Sequence, residues 1–149
     1  MDRVNHPKYY NESGNKVECI DIIAHYLTPI GNAMKYLWRC GLKTEEGLSN
    51  KEKEIEDLKK GRWYINYWRD HYLDDEREVI DGASIMTHPT GFASPKDVLS
   101  DNYNNNVLNA FTLLWWCGLP NFRLVDEATS LYFAMNCIDK RIEELQENQ

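Results

Sequence analysis

A chain of 149 residues with 42% apolar and 28% charged side chains has enough apolar material for one compact core, which excludes a disordered protein. Its formal net charge of −7 excludes broad binding along a nucleic-acid backbone, although a local cationic pocket for one small anion remains open. There is no basic-then-apolar leader and no apolar run near the roughly 18 residues of a membrane span, so a cytoplasmic protein without membrane contact is expected.

Met1 to Lys16 is polar, contains Pro7 and Gly14, and reads as an arm. Val17 to Leu27 places Val17, Ile20, Ile23, Ala24 and Leu27 on one helical face. Thr28 and Pro29 interrupt that pattern, and Pro29 suits the first turn of a second helix, where a missing N–H costs nothing. This helix is expected to reach Cys40, to bury Ala33, Tyr36, Leu37 and Cys40, and to end on a left-handed Gly41. Lys43 to Asn50 reads as a loop. Ser49 then caps a long helix through Tyr72, with Ile55, Leu58, Trp63, Ile65 and Trp68 on its apolar side. The acidic residues Glu52, Glu54, Glu56 and Asp57 suit the positive end of that helix.

Asp74 to Pro95 is linker-like, broken by Gly82, Pro89, Gly91 and Pro95. Further helices are expected from Pro95 to Val98, over Asn105 to Cys117, and over Val125 to Gln146. Strand patterns are weak, so the expected fold is all-α, about six helices in two pseudo-repeated halves. The division is 1–73 for the first half, 74–95 for the linker and 96–149 for the second half. Cys19, Cys40, Cys117 and Cys137 form no C-x-x-C pair and read as small buried hydrophobes in a reducing compartment.

The halves are suggested by a phrase written twice, IGNAMKYLWRCGL from Ile30 to Leu42 and VLNAFTLLWWCGL from Val107 to Leu119. Asn32, Ala33, Leu37, Trp38, Cys40, Gly41 and Leu42 recur as Asn109, Ala110, Leu114, Trp115, Cys117, Gly118 and Leu119. The cations do not recur. Lys35 corresponds to Thr112, Arg39 to Trp116, and Lys43, one residue past the phrase, to Pro120. Such one-sided loss points to a binding site in the first copy and a supporting role for the second.

Asn32, Lys35 and Arg39 lie at i, i+3 and i+7 and therefore share a helix face, with Lys43 just beyond the glycine cap. Three cations and an amide on one stripe suit a phosphate group; a merely solvated helix face has the same spacing. Glu54, Asp57 and Lys60 form a second stripe whose carboxylates would hold Mg²⁺ or orient a hydroxyl, or else pair among themselves. Glu18 and Asp21 repeat the E-x-x-D spacing. His6, Tyr9 and Tyr10 stand out in the arm, either closing over a ligand or docking it to the body. No G-x-x-x-x-G-K-[ST], G-x-G-x-x-G or G-x-S-x-G motif occurs, which removes the usual phosphate loop and nucleophile elbow.

Val4-Asn5-His6-Pro7, Tyr10, Glu18, Ile20-Asp21, Gly31-Asn32-Ala33, Lys35-Tyr36-Leu37, Arg39, Gly41, Lys43, Glu56-Asp57-Leu58-Lys59-Lys60 and Trp63-Tyr64 follow one another in an order that resembles the phage family DUF3310. The resemblance runs from about Val4 to Arg69. That family includes the C-terminal part of a T7-type phage nucleotide kinase. It implies an all-α nucleotide-binding domain acting in the cytoplasm of an infected bacterial host, and phosphoryl transfer among deoxynucleotides without a phosphate loop. The residues carried over are His6, Tyr10, Asn32, Lys35, Arg39, Lys43, Asp57 and Lys60. This chain departs from the family pattern at Tyr9, where a second His is common, and at Gly61, where Ala is common.

Three functions follow from these residues. In a nucleotide kinase, Arg39 and Lys35 would neutralise the transferring phosphates and His6 or Asp57 would orient the acceptor oxygen, while Asn32, Lys43, Lys60 and Tyr10 would bind the nucleotide. In a non-catalytic binder, the same cations and aromatics would sequester a nucleotide immune signal. An all-α nucleoside-triphosphate pyrophosphatase would instead use Glu18, Asp21, Glu54 and Asp57 around Mg²⁺. The expected partner is a small nucleotide rather than extended nucleic acid, and the aromatic content is compatible with a homo-oligomer.

Overall fold

The computed structural model describes residues 14–147 except 43–45, 74 and 83–86. The expected arm residues His6 and Tyr10, and Lys43, lie outside the described residues. The fold is mostly helical: α1 spans Cys19–Ile23, α2 Thr28–Arg39, α3 Asn50–Tyr72, α4 Asn105–Leu114 and α5 Glu127–Glu147. Two three-residue strands, β1 Glu78–Ile80 and β2 Phe122–Leu124, pair in parallel with Val79 opposite Arg123. They add a short strand pair to the expected mostly helical fold, and among the described residues five α-helices and a 3₁₀ turn at Pro95–Asp97 appear where about six helices are expected. The alternation signal fails for strands this short, because each is fixed by its partner rather than by its own sequence.

The first helix is shorter than its apolar pattern suggests. Glu18 and Asp21 close a reciprocal capping box at its start. Its end is set by tertiary anchors: the Leu27 N–H donates to Gly118 O at 2.7 Å, and the Tyr26 hydroxyl donates to Trp115 O. α2 begins with Pro29 in its first turn and ends before Gly41, whose φ of +80° is the expected left-handed cap. α3 begins where Ser49 and Glu52 cap each other, at 3.1 Å for Glu52 N to Ser49 Oγ and 2.8 Å for Ser49 N to Glu52 Oε1. Ile65, Leu58 and Trp68 are buried as expected, but Trp63 is 58% exposed.

α2 packs chiefly on α3 and α4 chiefly on α5; α3 also meets α5, and α2 meets α4. Trp38 of α2 contacts Phe111 of α4 edge-on at 6.0 Å, within one contiguous apolar core. The segment expected as a linker is firmly packed at two points. Arg77 donates to Leu119 O, Phe122 O and the buried Glu127 carboxylate, and lies over the Trp68 ring at 4.8 Å. Glu127 also accepts from Trp68 Nε1 at 3.0 Å, so one carboxylate joins α3, β1's approach and α5. Further on, buried His88 bonds Trp115 O through Nε2 at 2.6 Å and accepts the Thr90 N–H at Nδ1.

Gly118 has a φ of +69°, and a Cβ there would lie 2.4 Å from Ile30 Cβ; at Gly41 nothing lies within 4 Å. At Gly61, in the middle of α3, a Cβ would make ordinary contact, 3.5 Å from Ala33 O. Gly41→Ala is therefore expected to cost about 1 kcal/mol for its left-handed backbone. Gly118→Ala should cost a further ~1–3 kcal/mol of overpacking, and Gly61→Ala should stabilise by about 0.5–1 kcal/mol. Urea unfolding of the three variants checks this ranking.

Burial lowers the His88 pKa, against the raising effect of its bond to Trp115 O. As pH falls below the ordinary histidine value, the unfolded chain takes up this proton before the folded one, so stability drops. The melting temperature should fall between about pH 7 and 5, and His88→Gln should flatten that decline. An unchanged slope in the variant would show that the loss arises elsewhere.

Candidate functional site

The face predicted from i, i+3, i+7 spacing forms on α2, and it is organised by a residue that spacing alone did not single out. Lys35 Nζ lies 5.1 Å from the Tyr36 ring centroid, Arg39 Cζ 5.5 Å, and Lys60 Nζ, from α3, 5.6 Å. Each is a cation–π approach worth about 0.5–1 kcal/mol at exposed sites. Three predicted site cations thus converge on one ring, contributed by two helices. Two of them have carboxylates nearby: Lys60 pairs with Glu56 at 3.1 Å, and Arg39 acts electrostatically on Asp57. Lys53 and Lys60 hold the Glu56 carboxyl below its ordinary value.

Asp57 does not reach this surface. It is fully buried and pairs with Lys53, also buried, at 3.2 Å. Burial raises its pKa, against the lowering influence of Lys53 and Arg39. The role of touching an acceptor oxygen therefore does not fit Asp57, which is buried with Arg39 as a nearby charge. Glu54 is buried as well, accepting from Arg141 of α5 at 2.7 and 3.2 Å. The two carboxylates expected to share Mg²⁺ are therefore engaged by separate cations, Glu54 by Arg141 and Asp57 by Lys53, and do not fit a shared ion. Among the described residues no group of three His, Cys, Asp or Glu could hold a metal. Cys19, facing Lys35 and Arg39, has its thiol pushed up to about 12 by burial, which keeps it protonated and unreactive near neutral pH.

Asn32 sits one turn before Lys35 and opens onto an aromatic cleft of about 370 Å³ lined by Thr28, Trp63, Tyr64, Tyr67 and Tyr72. Tyr64 connects the cleft to the cations, because its ring stacks on Tyr36 at 6.0 Å and 13°. Trp63 meets Tyr64 edge-on at 5.0 Å and stacks on Tyr67 at 5.6 Å, and Tyr67 stacks on His71 at 4.1 Å. The sequence carried a usable signal for this row. Lys60, Tyr64, Tyr67 and His71 recur at i, i+4, i+7 and i+11, a single helix stripe. Trp63, expected on the apolar side of the helix, is instead exposed beside this row.

In the second half, Asn109 and Thr112 border a cleft of about 480 Å³ with Phe133, Asn136 and Lys140. Trp116, standing where the first copy has Arg39, packs edge-on against His88 at 4.4 Å. Trp116 thus covers a buried histidine, whereas the aligned Arg39 lies over the Tyr36 ring. No helix of the described residues is long and apolar enough to cross a membrane.

Residues 4–66 match the family model for a protein of unknown function, DUF3310. No curated protein and no solved structure matches the chain. Over residues 4–66 the chain is thus similar to the DUF3310 family, and that stretch contains Lys35, Tyr36, Arg39, Lys60 and the Tyr64 ring stacked beside them.

Proposed function

We propose that this protein binds a nucleotide across the α2–α3 surface, with phosphates at Lys35, Arg39 and Lys60 and the base in the adjoining aromatic cleft. The observation that carries this reading is the convergence of three cations on the Tyr36 ring in a protein of net charge −7. A phosphate among these cations would accept charge-assisted hydrogen bonds from them, with Glu56 already offsetting part of the Lys60 charge. Asn32 faces the cleft with an amide able to donate to and accept from a base edge, and Tyr64 and Trp63 offer rings for stacking.

Binding without turnover is the reading this geometry supports best. Cations and rings suffice for it, whereas the carboxylate assigned to orient an acceptor, Asp57, is buried against Lys53. A phage protein that holds a nucleotide in this way would sequester a nucleotide signal of host defence. The resemblance to DUF3310 favours phosphoryl transfer as the second reading, with Lys35 and Arg39 neutralising the transferred group. We also propose that α2–α3 and α4–α5 descend from one duplicated unit, supported by the repeated phrase and by the matched helix pairings. In that account the second copy gave up its cations, as Thr112 and Trp116 record, and kept its packing residues.

Calorimetry with the four deoxynucleoside monophosphates and triphosphates tests the site. Losing one charge-assisted bond is worth about 1.5–3 kcal/mol, so Lys35→Ala and Arg39→Ala should each weaken binding roughly tenfold to a hundredfold. Lys140→Ala, on the α4–α5 face, should leave affinity unchanged. Equal affinities in all four proteins would remove the assignment. Mixing dNMP with dNTP separates the two readings: the binder returns both intact, while a kinase makes diphosphates and loses turnover with Arg39→Ala.

A further inference from the structure

Trp63 borders two clefts, not one. On one side lies the aromatic cleft of Asn32, Tyr64 and Tyr67. On the other, between α3 and α5, lies a cleft of about 410 Å³ lined by Lys59, Arg62, Asn66, Asp139 and Ile142 together with the same indole. Helix geometry explains the division. Lys59, Trp63 and Asn66 lie at i, i+4 and i+7, while Lys60, Tyr64 and Tyr67 form the adjacent stripe, so Trp63 stands on the ridge between them. At 58% exposure it is a large aromatic surface that the core does not use.

The two clefts hold matching kinds of group. Each contains one side-chain amide, Asn32 or Asn66, able to read a base edge by donating and accepting. Each shares the Trp63 ring for stacking, and each has cations at hand: Lys35, Arg39 and Lys60 around Tyr36, and Lys59 and Arg62 in the second cleft. Arg62 is held in place by Asp139, which accepts its Nε at 2.8 Å and its Nη2 at 3.3 Å. That pair leaves Lys59 as the cleft's cation without an ion pair among the described residues, and it leaves the Asp139 carboxylate as a further acceptor beside the base position.

We infer that the ligand carries two nucleobases joined through phosphate, a linked dinucleotide straddling Trp63 with one base in each cleft. This inference rests on the nucleotide-binding reading above and specifies its ligand class. A mononucleotide occupies the α2–α3 cleft alone; the second base adds stacking and amide contacts along α3 at little further entropic cost, because the linker has already brought it close. A longer strand gains little more, since the protein as a whole is acidic and repels further phosphates.

Calorimetry of the full chain with the four dNMPs, the four 5′-phosphorylated homodinucleotides and the best of these extended to eight nucleotides tests it. The best dinucleotide should bind at least about tenfold tighter than its dNMP, and the octamer no tighter than the dinucleotide. Lys59→Ala with Asn66→Ala, both on the outer side of α3, should bring the dinucleotide down towards the dNMP while leaving the dNMP unchanged. Trp63→Ala should weaken both. Equal affinity for dNMP and dinucleotide, or a dinucleotide preference untouched by the Lys59 and Asn66 changes, overturns the two-cleft assignment and leaves the mononucleotide site standing. Tighter binding by the octamer overturns it in favour of a single-strand tract. Failure of every dNMP and dinucleotide to bind removes the nucleotide reading itself, and this inference with it.

Discussion

The close crossing of α2 over α3 is the constraint from which the proposed site follows, because it brings one tyrosine ring within reach of cations from two helices. Gly61 lacks a side chain where a Cβ would stand 3.5 Å from Ala33 O and 3.7 Å from Tyr36 Cβ. Beside it Tyr36 packs against α3 and stacks on Tyr64. Lys35 and Arg39 then approach the ring from their own helix and Lys60 from the neighbouring one. Ala fits the same spot at van der Waals contact and is compatible with the same geometry.

Beneath that crossing, buried charges are paired, one pair within α3 and two between elements. Lys53 holds Asp57, Arg141 holds Glu54, and Arg77 holds Glu127, each within 3.2 Å. Such pairs add little net stability over apolar packing, but removing one partner costs about 3–5 kcal/mol, since the other charge stays buried. Their contribution here is register. Arg141 and Glu54 fix α5 against the start of α3, and Glu127 fixes its beginning against Trp68, Arg77 and Gly118. The orientation of α3, and with it Lys60, Tyr64 and Trp63, is determined from both ends.

Much of this was legible in the residues, and what was not has identifiable causes. Ser49 and Glu52, Pro29 and Gly41 marked helix ends because capping and left-handed glycine are local chemistry, decided within four residues. The face of Asn32, Lys35 and Arg39 was legible for the same reason: helical spacing fixes it. The burial of Glu54, Asp57 and Lys53 was not, because it depends on Arg141 some ninety residues later and on a helix crossing that spacing does not encode. Trp63 looked like core for want of the same information. Arg77 and His88 sit in a stretch whose glycines and prolines suggest a linker, yet each meets partners more than twenty residues away.

The two versions of the repeated phrase differ in a physically specific way. Where the first phrase has Arg39 over a ring, the second has Trp116 covering His88; where the first has Lys35, the second has Thr112 bonded back to Leu108 O. Each change exchanges a half-buried cation for internal packing or a local bond. The most direct test of the central claim is an NMR titration of the isotopically labelled protein with a deoxynucleotide, following backbone amide shifts. The account predicts saturable shifts centred on Asn32, Lys35, Tyr36, Arg39, Lys60 and Tyr64. Shifts confined to Asn109, Thr112, Asn136 and Lys140, or no shift at millimolar nucleotide, would contradict it.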